Sequence, residues 1–464
     1  MTTDPALMSV AALTAAYRRG SLSPVETAQA VFDRIRRLDG RTNAFCYLDE
    51  DGALAAARDS EARYRQRAAL SPVDGVPATV KDLILARGWP TLRGSTLVAR
   101  DQEWAEDAPV TARLREAGAV LVGKTTTPEF GWKGVTDSPL TGITRNPWNP
   151  ERTCGGSSGG AAVAAALGMG NLNLGTDGGG SIRIPAGFTG IFGLKPSFGR
   201  VPAYPASPFA AVAHVGPMPR SVGDAAQMLN ILARPDVRDG QALPYDGRDW
   251  TIGLEDGVAG WRIGFARTIN GETVDPEVAG VVEAAVARFA ELGAQVEDLT
   301  IALPGIAEIF GKHWMSGAAA LLGTFSAEQQ RAIDPGLQAM AEIGRTFSAA
   351  DYVNAAKARD GYTIAVNALF RDYDLILTPT LPITAFEAGR DTPASGPYAG
   401  WPGWTPFTHP FNLTRHPAAS MPCGFAHGLP VGLQLIGPSH RDDTVLRAAR
   451  AFESLMPIAL PPSA

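Results

Sequence analysis

Cysteine is scarce and charge is low in this chain of 464 residues. Its three cysteines, Cys46, Cys154 and Cys423, are odd in number and form no CxxC pair, which argues against a disulfide framework and favours a reducing compartment. Charged residues make up 19% of the chain, and the formal net charge of −6 is spread without long runs of one sign. A basic stripe that could bind nucleic acid is missing, so we expect no nucleic-acid partner.

Long hydrophobic runs are also missing. The most apolar long segment, residues 161–169, is Ala-rich and far too short to span a bilayer. The N-terminus carries Asp4 and has no basic region before an apolar stretch, so a secretory signal is not expected. These observations predict a globular, cytoplasmic protein with no membrane partner.

Helical and strand patterns alternate along most of the chain. The first 40 residues predict two amphipathic helices, and the second begins with Ser23 as N-cap and Pro24 and runs toward Gly40. Further on, the patterns predict helices at 109–115 and 276–292 and strands at 119–122, 261–266, 294–301 and 374–378. This alternation favours an α/β fold with helices packed on a largely buried sheet. No linker marks a boundary, so we expect one domain over residues 1–464.

Residues 382–410 are rich in proline, glycine and aromatic residues. They predict a long ordered loop, a feature often found over active sites.

Two familiar sequence motifs are matched letter for letter, but the residues around each match do not form the structure that the motif requires. Residues 118–125 satisfy the phosphate-loop pattern GxxxxGK[ST], but a helix precedes them and four apolar residues fill what should be an open turn. Residues 155–159 satisfy the GxSxG nucleophile elbow, yet the proline-containing residues 146–152 before them cannot form the buried strand that an elbow needs. We therefore interpret the first as a helix end followed by a buried strand and reject the second.

Three other segments together indicate a serine nucleophile, with a lysine as its base. Residues 75–82 deliver Lys81 among apolar neighbours, residues 155–160 combine glycine and serine before an Ala-rich helix, and residues 175–185 contain Ser181 after a glycine run. A serine hydroxyl is a weak nucleophile until a base removes its proton. A buried lysine can be neutral near pH 7, and a second serine can relay the proton between the two. The glycines before Ser181 let successive backbone N–H groups converge on an oxyanion.

At these residues the sequence resembles the amidase signature family, the Ser–cis-Ser–Lys amidohydrolases. The likeness runs from about residue 74 to 219 and resumes at 411–413, 417–418 and 428–434. The resemblance implies a single α/β domain whose large mixed sheet is flanked by helices on both faces, with residues 74–219 as its core and a helical N-terminal segment, about 5–40, packed on it. It implies no metal and no organic cofactor.

The resemblance also implies the role of each site residue. Ser181 corresponds to the nucleophile, Ser157 to the bridging serine after a cis peptide bond, and Lys81 to the base. Gly178, Gly179, Gly180 and Ser181 match the oxyanion segment. Ser158, Asp177 and Arg183 match supporting positions, with Asp177 expected to order the loop. Cys154, where relatives carry a small residue, is expected to be a buried filler, with redox sensitivity left open.

These roles predict an amidohydrolase that cleaves a C–N bond of a small-molecule amide, anilide, carbamate or ester through an acyl-Ser181 intermediate. The alternative is a branch of the same family, the catalytic subunit of glutamyl-tRNA amidotransferase, which works within an assembly. That branch holds a free amino acid through an acidic residue shortly before its Pro-x-Asn-Leu segment, and Thr405 occupies the equivalent position here. Trp401, Trp404, Phe407 and Phe411 instead suggest an apolar substrate pocket, with ordinary loop packing as the competing interpretation. A homodimer is left open.

Overall fold

The fold combines two mixed β-sheets with helices in a computed structural model that describes residues 4–396, 398 and 400–462. The strands are β1 (Phe45–Leu48), β2 (Pro77–Lys81), β3 (Val120–Thr125), β4 (Asp137–Ser138), β5 (Gly142–Ile143), β6 (Leu172–Asp177), β7 (Gly193–Lys195), β8 (His214–Pro217), β9 (Arg262–Phe265), β10 (Gln295–Asp298), β11 (Leu375–Pro379), β12 (Ala418–Ala426) and β13 (Leu429–Ile436). The helices are α1 (Val10–Arg19), α2 (Pro24–Thr42), α3 (Glu50–Arg65), α4 (Pro109–Glu116), α5 (Gly159–Ala166), α6 (Arg183–Thr189), α7 (Val222–Leu232), α8 (Pro276–Glu291), α9 (Ile306–Leu322), α10 (Ala327–Gln330), α11 (Pro335–Arg345), α12 (Ala349–Leu369), α13 (Gly400–Gly403), α14 (His409–Leu413) and α15 (Asp442–Leu455). Three short 3-10 helices lie at Pro5–Leu7, Glu129–Gly131 and Ala210–Val212.

The described strands form two larger sheets and a two-stranded sheet. The five-stranded sheet has the order β1-β3-β2-β6-β8, in which β2 is parallel to both β3 and β6 and the two edge strands are antiparallel. The six-stranded sheet has the order β10-β9-β11-β13-β12-β7, parallel through β10, β9 and β11 and antiparallel from β13 onward. Strands β4 and β5 pair with each other. The predicted α/β class with mixed pairing is therefore confirmed, with the hydrogen bonding divided between two main sheets.

Helices cover both faces of these sheets because successive strand side chains point in opposite directions. In β11, Leu375 and Leu377 join an apolar cluster with α7, α8 and α15, while Ile376 joins a second cluster with α9 and α11. In β3, Leu121 belongs to the first cluster, whereas Val120 and Val122 pack on α2 and α5. Strands buried on both sides read as continuous apolar runs, as their sequences do.

The predicted elements agree with the structure apart from their ends. The N-cap of α2 is Ser23, whose hydroxyl accepts from the Glu26 N–H while the Glu26 carboxylate accepts from the Ser23 N–H. Residues 123–125 of the rejected phosphate-loop match lie in β3, and the segment before Ser157 contains turns rather than a strand. Both rejections are confirmed.

The predicted loop at 382–410 contains α13 and the first residues of α14, and residues 397 and 399 lie outside the described part of the chain. Of the helices in the described ranges, none combines the length and apolarity that a membrane span requires.

Candidate active site

Lys81 ends β2, a fully buried strand near the middle of the five-stranded sheet. Its Nζ lies 2.7 Å from Ser157 Oγ, 2.8 Å from Ser158 Oγ and 2.9 Å from Thr176 Oγ1, the last on the neighbouring strand β6. Burial lowers the pKa of Lys81 well below its ordinary value, with the nearby Asp177 carboxylate acting in the opposite direction. A neutral amine can donate to two of these hydroxyls and accept from the third, because a hydroxyl can donate as well as accept.

Ser157 and Ser158 form the turn into the buried, Ala-rich helix α5. The Gly156–Ser157 peptide bond is cis, as the family resemblance implied. A Cβ on Gly156 would lie 2.4 Å from the Val135 carbonyl oxygen, so only glycine fits there without a shift of the backbone. The Ser158 N–H donates to the Ser181 carbonyl at 3.1 Å, and the Ser158 hydroxyl donates to the Thr176 carbonyl at 3.0 Å. Ser158 therefore links the lysine, strand β6 and the segment that carries Ser181.

The glycine run between β6 and α6 passes close to large side chains. A Cβ on Gly178 would lie 2.8 Å from the Trp314 ring, and one on Gly179 would lie 2.7 Å from the Phe310 ring. Gly180 has φ +132°, a backbone conformation that favours glycine. The run is therefore fixed by close approach and by conformation, with little freedom to move.

The backbone N–H groups of this run divide into two sets. The Gly180 N–H donates to the Asp177 carboxylate at 2.8 Å and is therefore occupied. In the described chain, the N–H groups of Gly178, Gly179 and Ser181 have no backbone or side-chain acceptor, and Gly178 and Ser181 line the main cavity. These three remain available to an oxyanion, whereas Gly180 contributes its conformation.

Asp177 and Arg183 form a fully buried ion pair, with 3.0 Å between Asp177 Oδ1 and one guanidinium nitrogen of Arg183. Although burial alone would raise the pKa of Asp177, the Arg183 guanidinium holds it well below its usual range. Arg183 also donates to the Thr408 carbonyl, to Gln434 Oε1 at 2.7 Å and to Asn412 Oδ1 at 2.6 Å. Every oxygen of the Asp177 carboxylate is engaged, which agrees with its expected ordering role and leaves no proton position for general acid work.

Ser181 lines the cavity together with Ser157, and its residue surface is only 4% exposed. Among the described residues, its hydroxyl makes no hydrogen bond to Ser157, so the resting site holds the two hydroxyls in one cavity without direct contact. Catalytic hydrogen bonds are often long in unliganded sites and shorten when substrate binds.

The cavity walls come from segments far apart in the chain. Apolar and aromatic side chains dominate them, and residues 202–209 contribute a proline-rich rim that includes a cis Tyr204–Pro205 bond. Large aromatic wall residues include Phe130, Phe209 and Trp314, of which Phe209 and Trp314 stack with ring centroids 3.8 Å apart.

The expectation that the aromatic residues of the 382–410 loop and its flank form the pocket is wrong for this cavity. Trp401, Trp404, Phe407 and Phe411 are buried in the apolar core, and none of them lines the cavity. Trp404, for example, stacks on Phe188. Ordinary packing explains these residues, although Trp401 contacts Phe310 and Trp314, and a Cβ on Gly179 would lie 2.8 Å from its ring.

The polar residues of the site that sequence reasoning missed include Thr176 and His214. Thr176 contacts Lys81. The sequence feature that could have identified it is its position, one residue before Asp177. His214 is buried in the cavity wall, where its Nδ1 donates to the Val212 carbonyl at 2.8 Å and approaches the Asp177 carbonyl at 3.1 Å. Burial lowers the pKa of His214 well below its usual value, so the ring is neutral. Its Nε2 has no partner in the described chain and offers a lone pair.

Cys154 packs behind the site as a filler. It is fully buried, and burial raises the pKa of its thiol to about 12. A thiol with so little thiolate character is unreactive.

Within the described ranges, no group of three or more histidine, cysteine, aspartate or glutamate side chains is placed to hold a metal ion.

Comparison with known proteins assigns the family. The Amidase family model matches residues 26–446, nearly the whole chain. The chain therefore belongs to the amidase signature family, whose members cleave or transfer at C–N bonds, and the predicted membership is confirmed.

Three relatives illustrate the range of this family. A glutamyl-tRNA(Gln) amidotransferase subunit from Chloroflexus aurantiacus is 36% identical over 97% of this chain and 96% of the relative. A bacterial aryl acylamidase of the amidase signature family superposes with a TM-score of 0.90 at 31% identity, over 97% of this chain and 96% of its own. The corresponding glutamyl-tRNA(Gln) amidotransferase subunit from Thermotoga maritima superposes with a TM-score of 0.82 at 28% identity, over 100% of this chain and 99% of its own. The homodimer left open by the sequence finds no support in these comparisons.

We predict that Asp177→Ala destabilises the protein by about 3–5 kcal/mol, because it leaves the Arg183 cation buried without its partner. Urea unfolding at neutral pH measures the loss. Because the pKa of Asp177 is depressed, the stabilisation is complete above the usual carboxylate range and is lost only as the pH falls through the depressed value. The control is Glu297→Ala, which removes an exposed pair with Arg262 and should cost at most about 1 kcal/mol. Equal losses in the two variants would contradict the structural importance of the buried pair.

Proposed function

We propose that this chain is an amidohydrolase that cleaves a C–N bond of a small molecule through a covalent acyl-Ser181 intermediate. The observation that carries the proposal is the buried Lys81 amine, 2.7 Å from the hydroxyl of Ser157, beside a cavity that Ser157 and Ser181 both line. The proposed catalytic side chains all come from residues 74–219, and we propose that the whole chain acts as one domain.

Neutral Lys81 acts as the base. It accepts the Ser157 hydroxyl proton while Ser157 accepts the proton of Ser181, whose Oγ attacks the substrate carbonyl carbon. The negative charge that develops on the carbonyl oxygen is stabilised by the N–H groups of Gly178, Gly179 and Ser181. The C–N bond then breaks, and the leaving amine takes the proton back through Ser157.

Water completes the cycle. It attacks the acyl carbon of the ester on Ser181 and gives a proton to the same relay. The bond from that carbon to Ser181 Oγ then breaks, Ser181 takes the proton back through Ser157, and the carboxylic acid is released. An ester or carbamate substrate would follow the same steps with a different leaving group or acyl group.

The cavity supports an apolar amide as the substrate. Its walls are largely aromatic and aliphatic, and the acidic side chain among its lining residues, Asp177, is already paired with Arg183. Thr405, at the position where the amidotransferase branch carries an acid, is buried and donates to carbonyls of its own loop. The higher TM-score with the aryl acylamidase than with the Thermotoga maritima protein favours the same choice.

The second candidate is an amidotransferase subunit that acts within an assembly. The names of the curated relatives favour it, since those at 36% identity are glutamyl-tRNA(Gln) amidotransferase subunits. This candidate predicts that the isolated chain hydrolyses simple aryl amides poorly and gains activity when the other components of that enzyme are added.

For the nucleophile, we predict that the isolated chain turns over a panel of aryl amides, esters and carbamates and that intact-mass spectrometry finds one acyl adduct on Ser181. Ser181→Ala should lose about 10⁴-fold or more in activity, together with the adduct, because no other nucleophile replaces it. Ser395→Ala changes an exposed serine and should retain both. Full turnover by Ser181→Ala would exclude the proposed mechanism, and inactivity of the isolated wild type, relieved by the other components of an amidotransferase, would favour the second candidate.

For the base, we predict that kcat/KM rises with pH and reaches a plateau below the usual lysine range, because Lys81 is neutral above its lowered pKa. Lys81→Ala should lose about 10²–10⁴-fold on that plateau and less at alkaline pH, where hydroxide can replace the base. The pH–rate profile of each variant provides the measurement. Lys357→Ala, at an exposed lysine of α12, should keep the wild-type profile. A loss that is equal at every pH would mean that Lys81 only positions its neighbours.

A further inference from the structure

An arginine faces the same cavity as the two serines without a partner of its own. Arg93 is partly buried among the lining residues, together with Ser157 and Ser181. Its guanidinium makes no hydrogen bond or ion pair with any residue in the described part of the chain. The other charged residue of the cavity, Asp177, is fully engaged by Arg183 and cannot serve as its counter-ion.

The backbone of Arg93 is held firmly in a conformation that arginine rarely adopts. Its φ is +57°, in the left-handed region. The Asp82 carboxylate accepts from the N–H groups of Leu92 at 3.2 Å and Gly94 at 3.1 Å, and the Arg93 carbonyl accepts from the Phe130 N–H at 2.7 Å. Because Asp82 follows Lys81 directly, this network fixes the arginine relative to the base. Strained residues held by their surroundings concentrate at functional sites.

The charge and shape of a guanidinium indicate which kind of group would bind Arg93. Burial lowers the pKa of Arg93, and Asp82 compensates only in part, so the cation lacks a full counter-charge. Its planar fork of N–H donors matches a carboxylate with two parallel hydrogen bonds. A cation that is partly removed from water, carried on an anchored backbone and open to the substrate cavity is a candidate binding site for an anion of this shape.

We propose that Arg93 binds a carboxylate carried by the substrate, so that the preferred amide is a mono-anion with an otherwise apolar body. This inference rests on the proposed function and specifies its substrate class. An ammonium group would find no free acid among the described lining residues, because Asp177 is neutralised by Arg183. The preferred substrate therefore has a carboxylate and no free amino group, which distinguishes it from an amino acid such as glutamine.

The test compares matched substrates that differ only in charge. One pair is a glutaryl anilide and a neutral acyl anilide of the same chain length, and the other is an anilide with a ring carboxylate and its nitro analogue. In at least one pair, wild-type kcat/KM should favour the carboxylate.

Arg93→Met should lose about 10–100-fold on the carboxylate member, mainly through KM, and change less than about threefold on the neutral member, as expected for one charged hydrogen-bonding partner. Arg93→Lys should restore part of the preference because it keeps the charge without the fork. Arg100→Met, at an exposed arginine further along the same segment, should behave as wild type.

The outcomes separate the two proposals. If the wild type forms the Ser181 adduct with neutral amides but shows no carboxylate preference that Arg93→Met removes, the inference about Arg93 is overturned and the proposed function stands. If no amide is cleaved and no adduct forms, the proposed function fails. Calorimetric binding of benzoate and of uncharged nitrobenzene to the wild type and to Arg93→Met then still tests the arginine. Equal benzoate affinity in both proteins would overturn it.

Discussion

The buried ion pair between Asp177 and Arg183 is the interaction on which the arrangement of the site depends. Asp177 ends β6 in the five-stranded sheet, and Arg183 begins α6 and reaches Gln434 on β13 of the six-stranded sheet. The same carboxylate accepts the N–H of Gly180 and is contacted by Asn412 of α14. One pair therefore joins both sheets and closes the loop that presents Ser181, which explains why two fully buried charges are kept where apolar residues would be cheaper to bury.

This pair also bears on the charge of Lys81. A buried amine is easily neutralised, but a carboxylate nearby would favour the ammonium form, and Asp177 acts in that direction. The guanidinium of Arg183 lies on the same carboxylate and carries the opposite charge, which opposes that effect. The amine is then surrounded by three hydroxyls, which solvate a neutral or a charged nitrogen alike. In the proposed mechanism Lys81 changes its charge during each turnover, and neighbours of this kind suit that role.

Much of the proposed reaction centre could be predicted from sequence because it is built from local patterns. The residues beside Trp314 and Phe310 must lack a Cβ, and so must Gly156 beside Val135. The site is therefore visible in the sequence as a local enrichment in glycine. Strands β9 and β11 and helix α8 followed from apolar periodicity and capping, with errors only at their ends. The division into two sheets did not follow, because the pairing partners of β12 and β13 depend on tertiary contacts.

The cavity wall could not be predicted for the same physical reason. Phe130, Phe209 and Trp314 come from three distant segments, and nothing local separates an aromatic residue that lines a cavity from one that fills a core. The aromatic residues at 401–411 showed this directly, since the composition that suggested a pocket belongs to the core. Arg93 and His214 were missed because each has side-chain nitrogen atoms without a described partner. Only the tertiary structure reveals such a vacancy.

The contrast between centre and wall explains how one reaction centre can accompany several functions in this family. The ion pair joins both sheets, and Lys81 is held by hydroxyls of Ser157, Ser158 and Thr176 inside the core. The wall also includes the rim at 202–209, the side chain of Arg93 and Leu321 of α9, whose side chains make no described hydrogen bond to that network. Arg93 is held by Asp82, one residue after the base, while its side chain is free toward the cavity. Substrate choice can therefore vary at a position whose backbone is anchored by the residue that follows the proposed base, Lys81.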